Sequence, residues 1–244
     1  KDSASDEAVR LFEMEGVGTE YLVRRDDCFG LESINMVNTN TGSRTKFPRK
    51  DTNPPIAWDE RLENAIASAK ILHMDSSNYD NAMAAARIAK KHGVLVSLDA
   101  ATMHADNQKN IDLASIADIL IMDKKYPLAV TGKTSREEAL LEISTWGPKI
   151  VMGTMGEEGS MAVVDGKIRV YGAFTPSKVV DTTGCGDVFH GSFVYAYVNG
   201  MPFDQCVRFA AATAALKCEK LGGRDGIPTK EAVLALMETH PEVK

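Results

Sequence analysis

Four short, almost wholly apolar runs constrain this chain more than any other feature: Ile71–Met74, Val94–Asp99 (VLVSLD), Ile119–Met122 (ILIM) and Lys149–Gly153 (KIVMG). Runs with no polar face are strands covered on both sides, and such strands belong to parallel sheets, whose neighbours need a crossover connection. The intervening segments supply the crossovers. Glu60–Lys70 is Ala-rich and helical, Asn81–His92 is a helix stopped by Gly93, and Ile111–Ala117 is a further apolar stretch. A helix from Arg136 is announced by Ser135 with Glu138 at capping-box spacing. The expected class is therefore α/β: a mostly parallel sheet with helices on both faces, three layers in all. Open sheets of this kind bind ligands at the carboxyl ends of their strands.

Two segments depart from that rhythm. Near the start, Asp6–Gly16 reads as a helix, Tyr21–Arg25 and Glu32–Asn38 as extended stretches, and TNTG at 39–42 as a turn before Arg44–Phe47. This is a polar antiparallel excursion over about 20–50, outside the main sheet. Later, Asp165-Gly166 between two alternating runs in Met161–Tyr171 marks a tight hairpin. The 244 residues are expected to form a single domain.

The net charge of −6 argues against a nucleic-acid or anionic-membrane surface, because both rest on basic patches. No apolar run approaches the ~20 residues of a bilayer span, and no signal peptide opens the chain, so a cytoplasmic protein is expected. Cys28, Cys185, Cys206 and Cys218 have no CxxC spacing, which predicts free thiols and neither disulfides nor structural zinc.

The stretch that carries chemistry is Val179–Gly191, VVDTTGCGDVFHG. Gly184 and Gly186 precede an apolar helix, Val188–Val198, so backbone N–H groups can converge on one point where the helix dipole also favours negative charge. Asp187 stands in that anion cradle and could take a proton from a hydroxyl while the amides hold the charge of a transferring phosphoryl group. There is no Walker A sequence, and no G-x-G-x-x-G in the first βα turn to suggest a dinucleotide-dependent dehydrogenase.

DTTGCGD resembles the D-T-x-G-A-G-D signature of the ribokinase-like, or PfkB-type, carbohydrate kinases, with Cys185 where the family usually has Ala. VMGTMGEEGS at 151–160 is similar to that family's T-x-G-x-x-G segment. FAAATAALKCEKLGGRDGIP at 209–228 looks like the small-residue helix, glycine turn and proline that close its nucleotide pocket. The resemblance implies a ribokinase-like three-layer sandwich with a small β lid at 20–50 that covers a sugar and mediates a homodimer. It implies Asp187 as catalytic base, anion-hole amides from Gly184, Cys185 and Gly186, and a nucleotide site lined by Thr154, Gly156, Gly159 and Asp123. ATP and Mg2+ follow as cofactors, and Asp181 and Thr183 match positions that in some members hold a monovalent cation such as K+. The family's N-x-x-E motif is altered, since Asp123 replaces the Asn and Tyr126 the Glu. Asp123 could still orient metal-bound water; Tyr126 cannot replace a carboxylate.

Other residues read more plainly. Cys185 is expected to be a small side chain between glycines, His190 to pack against the sheet, and Lys124 and Lys125 to be solvated. Asp99 could either reach the cleft or cap a turn. The chain begins at Lys1 with no initiator Met, Asp6–Gly16 reads as a helix already under way, and against the ribokinase-like pattern about 60 residues, or about two βαβ-sized units, are expected to precede it, including the Gly-Gly/Asn region that grips the sugar. The expected activity is ATP-dependent phosphorylation of a small sugar. The 215–228 tail resembles ketohexokinase and leans toward a ketose. The alternatives are a vitamin-type kinase of the same superfold, which generally lacks a strand lid, and a nucleotide-binding regulator without turnover.

Overall fold

A computed structural model describes residues 3–241 and Val243. Helix α1 (Ser3–Met14) leads to strands β1 (Glu32–Val37) and β2 (Arg44–Arg49), which pair antiparallel as a separate sheet. Then come α2 (Glu60–Ala67), β3 (Ile71–Asp75), α3 (Tyr79–Lys91), β4 (Leu95–Ala100), α4 (Asn107–Ile116), β5 (Ile119–Met122), α5 (Tyr126–Thr131), α6 (Arg136–Ile143) and β6 (Ile150–Thr154). The hairpin of β7 (Ser160–Val164) and β8 (Lys167–Tyr171) follows, then α7 (Cys185–Val198), α8 (Phe203–Lys217) and α9 (Lys230–Thr239).

The main sheet has the order β3-β4-β5-β6-β7-β8. Strands β3 to β6 run parallel, and β7 and β8 add antiparallel edges. The turn at Asp165 and Gly166, with φ of 51° and 71°, is the tight hairpin that the sequence announces. The alternation of β5 shows why its run had to be wholly apolar. Ile119 and Ile121 pack with Phe189, Phe193 and Phe209 of α7 and α8, while Leu120 and Met122 pack with Leu113, Leu140 and Ile143 of α4 and α6. Both faces of the sheet are therefore covered, giving the three expected layers.

Helix starts follow local chemistry. The side chains of Asp59, Asn78, Ser135 and Thr229 accept N–H bonds from Leu62, Asn81, Glu138 and Ala232. Three expectations shift. Helix α7 begins at Cys185 rather than Val188, which draws Gly186 and Asp187 into its first turn. Helix α5 went unread because it is short and carries Pro127; Asp123 Oδ1 starts it by accepting from Lys125 N (2.9 Å) and Tyr126 N (2.8 Å). Tyr21–Arg25 is not a strand: Arg24 pairs with Asp6 and Arg61 donates to Glu20 O at 3.1 Å, so these contacts tie it down in place of a ladder.

The small β1–β2 sheet is rooted beside the DTTG segment. Thr182 N donates to Gly42 O at 3.1 Å, and Arg44 donates to Thr182 O at 3.0 Å. A Cβ on Gly42 would lie 2.4 Å from Val179, so only glycine allows this approach. One face of the hairpin carries Ile34, Met36 and Phe47, all exposed; the alternate positions carry Asn35, Lys46 and Arg44.

Candidate active site

The turn that precedes α7 is built from one buried carboxylate. Asp181, 1% exposed, accepts from Thr183 N (2.8 Å) through one oxygen and from Gly222 N (2.9 Å) through the other. Burial pushes its pKa up, but the Thr183 and Gly222 donors and the Lys217 charge outweigh it and hold the carboxyl below its usual range. The end of α8 is stitched to the same segment, with Val180 N and Asp181 N donating to Cys218 O at 2.8 and 3.2 Å. Gly184 then reverses the chain with φ of 80°, and a Cβ there would sit 2.6 Å from Gly223 O. No other residue fits that position.

After Gly184, the first turn of α7 offers N–H groups that have no partner inside the helix. Cys185 N donates weakly to Thr182 O at 3.3 Å, so of the expected amides its own is engaged within the turn. Among the described residues, Gly186 N and Asp187 N have no backbone acceptor. Gly186 and Asp187 are exposed, and among the described residues no side chain is bonded to the Asp187 carboxylate. Cys185 lies against the Cys218 thiol, and that contact together with burial pushes its pKa up, which removes it as a nucleophile.

Asp187 lines a cavity of about 580 Å³ between α7, α8 and the 223–230 turn. Its walls include Val188, Tyr195, Phe209, Ile227 and Pro228, with Ser192 and Thr213 as polar points and Arg224 and Lys230 among its lining. The helix, glycine turn and proline singled out at 209–228 thus line one continuous space with Asp187.

The carboxyl edge of the sheet supplies further groups. Asp75 and Asp99 are register partners on β3 and β4, and Asp123 follows β5. Burial pushes Asp99 up to about 7, and the negative charges of Asp187, Asp75 and Asp123 add to the shift. The Lys46 charge on β2 acts in the opposite sense. His190 is buried, as expected of a packing residue, with Nε2 3.4 Å from Asp99 Oδ1, and burial pushes it down to about 3. Thus Asp99 lies against His190, and among the described residues its Oδ1 accepts no backbone N–H as a turn cap would.

The expected nucleotide residues separate. Thr154 ends β6, and its hydroxyl donates to Met122 O at 3.2 Å. Gly156, with φ of 64°, lies in open space, whereas a Cβ on Gly159 would strike Tyr171 O at 2.0 Å, so strand packing accounts for Gly159. Asp123 is half-buried at the edge, while Tyr126 turns inward and donates to Asn110 O at 3.2 Å. Lys124 and Lys125 are exposed. Among the described residues no cluster of three or more His, Cys, Asp or Glu side chains is arranged to hold a metal, and no helix is long and apolar enough to cross a membrane.

Sequence reasoning missed Asp75, Arg44 and Lys217. For Asp75 a signal existed, since three successive strands end at or beside an Asp. Arg44 and Lys217 act across distances of chain that no local pattern encodes.

The pfkB family carbohydrate kinase model matches residues 1–230. The chain is 28% identical over 244 residues to the ribokinase of Haemophilus influenzae, covering 97% of this chain and 78% of that one. It is 30% identical over 177 residues to a nucleoside kinase of Methanothermobacter thermautotrophicus, covering 71% of this chain and 56% of the relative. The structure of Arabidopsis thaliana ribokinase complexed with ribose and ATP superposes with a TM-score of 0.80 at 26% identity, over 91% of this chain and 74% of the other. Since the family match runs from α1 to the start of α9 and takes in both sheets and the Asp181–Asp187 turn, the chain belongs to the pfkB family and is an ATP-dependent carbohydrate kinase.

Proposed function

We propose that the chain moves the γ-phosphoryl of ATP to a hydroxyl of a small sugar, with Asp187 as the base. The observation that carries this is the pairing of an exposed carboxylate with two open N–H groups in one helical turn that borders an apolar cavity. The base and sugar of the nucleotide occupy the cavity against Tyr195, Phe209 and Ile227, and the phosphates reach Gly186 N and Asp187 N. Gly156, in open space after β6, lets backbone approach them. The acceptor lies between Lys46 of the lid and the carboxylates of Asp75 and Asp99. Asp187 takes the hydroxyl proton, and the fixed amides and helix dipole hold the charge on the transferring group without rearranging.

A divalent ion fits this donor set. Asp123 presents a carboxylate at the strand edge, and Mg2+ commonly rests on one or two carboxylates plus substrate phosphates. Bound there, it would neutralise phosphate charge. Tyr126 takes no part, because its hydroxyl is engaged in the core. The exposed Ile34, Met36 and Phe47 face supports self-association through the lid; a light-scattering mass of one chain would remove that assignment.

A nucleoside acceptor is a second reading, favoured by the 30% identity to a nucleoside kinase. The lid weighs against a vitamin-type acceptor. ADP release over a panel of pentoses, ketohexoses, nucleosides and pyridoxal separates these. Turnover with a free sugar is expected; turnover with a nucleoside alone favours the second reading, and ATP binding with no turnover contradicts both.

A further inference from the structure

Lys217, the last residue of α8, turns its side chain inward and is 0% exposed. Among the described residues it is the one lysine or arginine in the buried class. A buried ammonium persists only where negative groups compensate it. Here Nζ donates to the backbone carbonyl Asp181 O at 3.0 Å, and its charge acts on the carboxylate of the same residue.

That is the place where Asp181 and Thr183 were expected to hold a monovalent cation, and the residues present do not fit one. Both Asp181 oxygens already accept amide N–H bonds, from Thr183 and Gly222, and its carbonyl accepts from Lys217. Thr183 Oγ1 is buried beside the Asp181 carboxylate, whose charge it helps to hold, and a metal ion bound through it would share the pocket with a fixed positive charge. The ammonium also has a mechanical connection to the cradle. Asp181 fixes Gly222, Gly223 O bears on Gly184, and Gly184 sets the first turn of α7.

We propose that the Lys217 ammonium is the resident cation behind the anion hole, so that this kinase holds its phosphate-binding turn without K+ or any other monovalent ion. Lys217 is a positioning residue and not a catalytic one. The inference rests on the reading of the α7 turn as the anion hole, and it extends that reading to the ionic requirements of the enzyme.

The test compares KCl, NaCl and choline chloride at one ionic strength, reading ADP release and melting temperature in parallel. The wild-type protein is expected to give the same turnover and the same melting temperature in all three. Lys217→Ala, which opens room for a small cation, is expected to lose about 10–100-fold in turnover in choline, the usual scale for a group that orients a site from behind. Added K+ or methylammonium should then recover most of that loss and raise the melting temperature with concentration, as binding to the folded state requires. Activation or stabilisation of the wild-type protein by K+ over choline overturns the proposal. So does a Lys217→Ala protein that keeps its turnover in choline, or that loses turnover with no response to either cation. Should Lys217→Ala not fold, the wild-type salt comparison decides alone. Absence of turnover in every salt would contradict the transfer reading instead, and the melting comparison would still decide the cation question.

Discussion

Asp181 and Asp187 bracket one turn and live in opposite surroundings. Asp181 is buried, bonded through both oxygens, backed by Lys217 and depressed in pKa. Asp187 is exposed and lines the cavity, with no side chain bonded to it among the described residues. The first carboxylate is used to build the turn and the second is left free for chemistry. The two glycines between them divide in the same way: Gly184 is demanded by the Gly223 carbonyl against it, whereas a Cβ on Gly186 meets nothing within 4 Å. A rigid half therefore presents an open half, and preorganised donors that need not move are what stabilise developing charge.

The largest effect should come from the open end. Asp187→Asn is expected to lower kcat by about 10²–10⁴, or roughly 3–6 kcal/mol of barrier. Its melting temperature should hardly move, because an exposed carboxylate near a helix N-terminus contributes only about 0.3–1 kcal/mol. Steady-state ADP release with a parallel thermal melt checks both halves, and near-wild-type turnover would remove Asp187 as the base.

The carboxylate cluster under the cleft sharpens the contrast through pH. Folded, Asp99 keeps its proton up to about 7, whereas its ordinary pKa is 3.8. Between those values the folded state binds more protons, so raising the pH costs stability, by at most about 1.4 kcal/mol per unit. His190 has the opposite slope: burial holds it neutral down to about 3 against an ordinary 6.5, so its contribution is lost on acidification below 6.5. In the parent protein the two offset. Asp99→Asn leaves the histidine slope alone, and its melting temperature should gain steadily on the parent's from pH 3.8 toward 7. Parallel melting curves for the two proteins across that range would refute this account.

Gly186→Ala tests the open glycine in a third way. Alanine in a helical turn is favoured over glycine by about 0.5–1 kcal/mol, so the variant should melt slightly higher. A methyl group beside the free amides should nevertheless reduce kcat, by about tenfold or more if it displaces one donor contact. A variant with improved stability and unchanged turnover would mean that the phosphate does not approach there. The smallest effect belongs to Cys185→Ala, expected to keep kcat within about twofold, or ~0.4 kcal/mol, since its thiol is pushed up in pKa and its amide is engaged within the turn. A loss of tenfold would show that the thiol touches the reaction.

Much of this was legible beforehand because it is local. ILIM at 119–122 could only be a strand buried on both faces, Ser135 and Glu138 start a helix wherever the rest of the chain lies, and two glycines beside a helix start make amide donors available. Helix α5 was not legible, since its cap position is Lys125, the Asp that receives its first amides lies two residues earlier beside a strand end, and the helix has only six residues. The loss of the Glu in N-x-x-E could be seen, but not that Tyr126 points away from the cleft, because direction is set by the Asn110 carbonyl on another helix.

The chain's order of residues by itself determined the layered fold, the open amides at the start of α7 and the place of Asp187 in that turn, all products of periodicity, caps and glycine conformations within a few residues of one another. Only the tertiary structure decided that Asp181 is engaged through both oxygens, that Lys217 stands where a free cation was expected, and that Asp99 shares its field with Asp75, Asp123 and Asp187. Those facts depend on charges brought together from distant parts of the chain, and electrostatic energy follows distance in space and burial rather than separation in sequence.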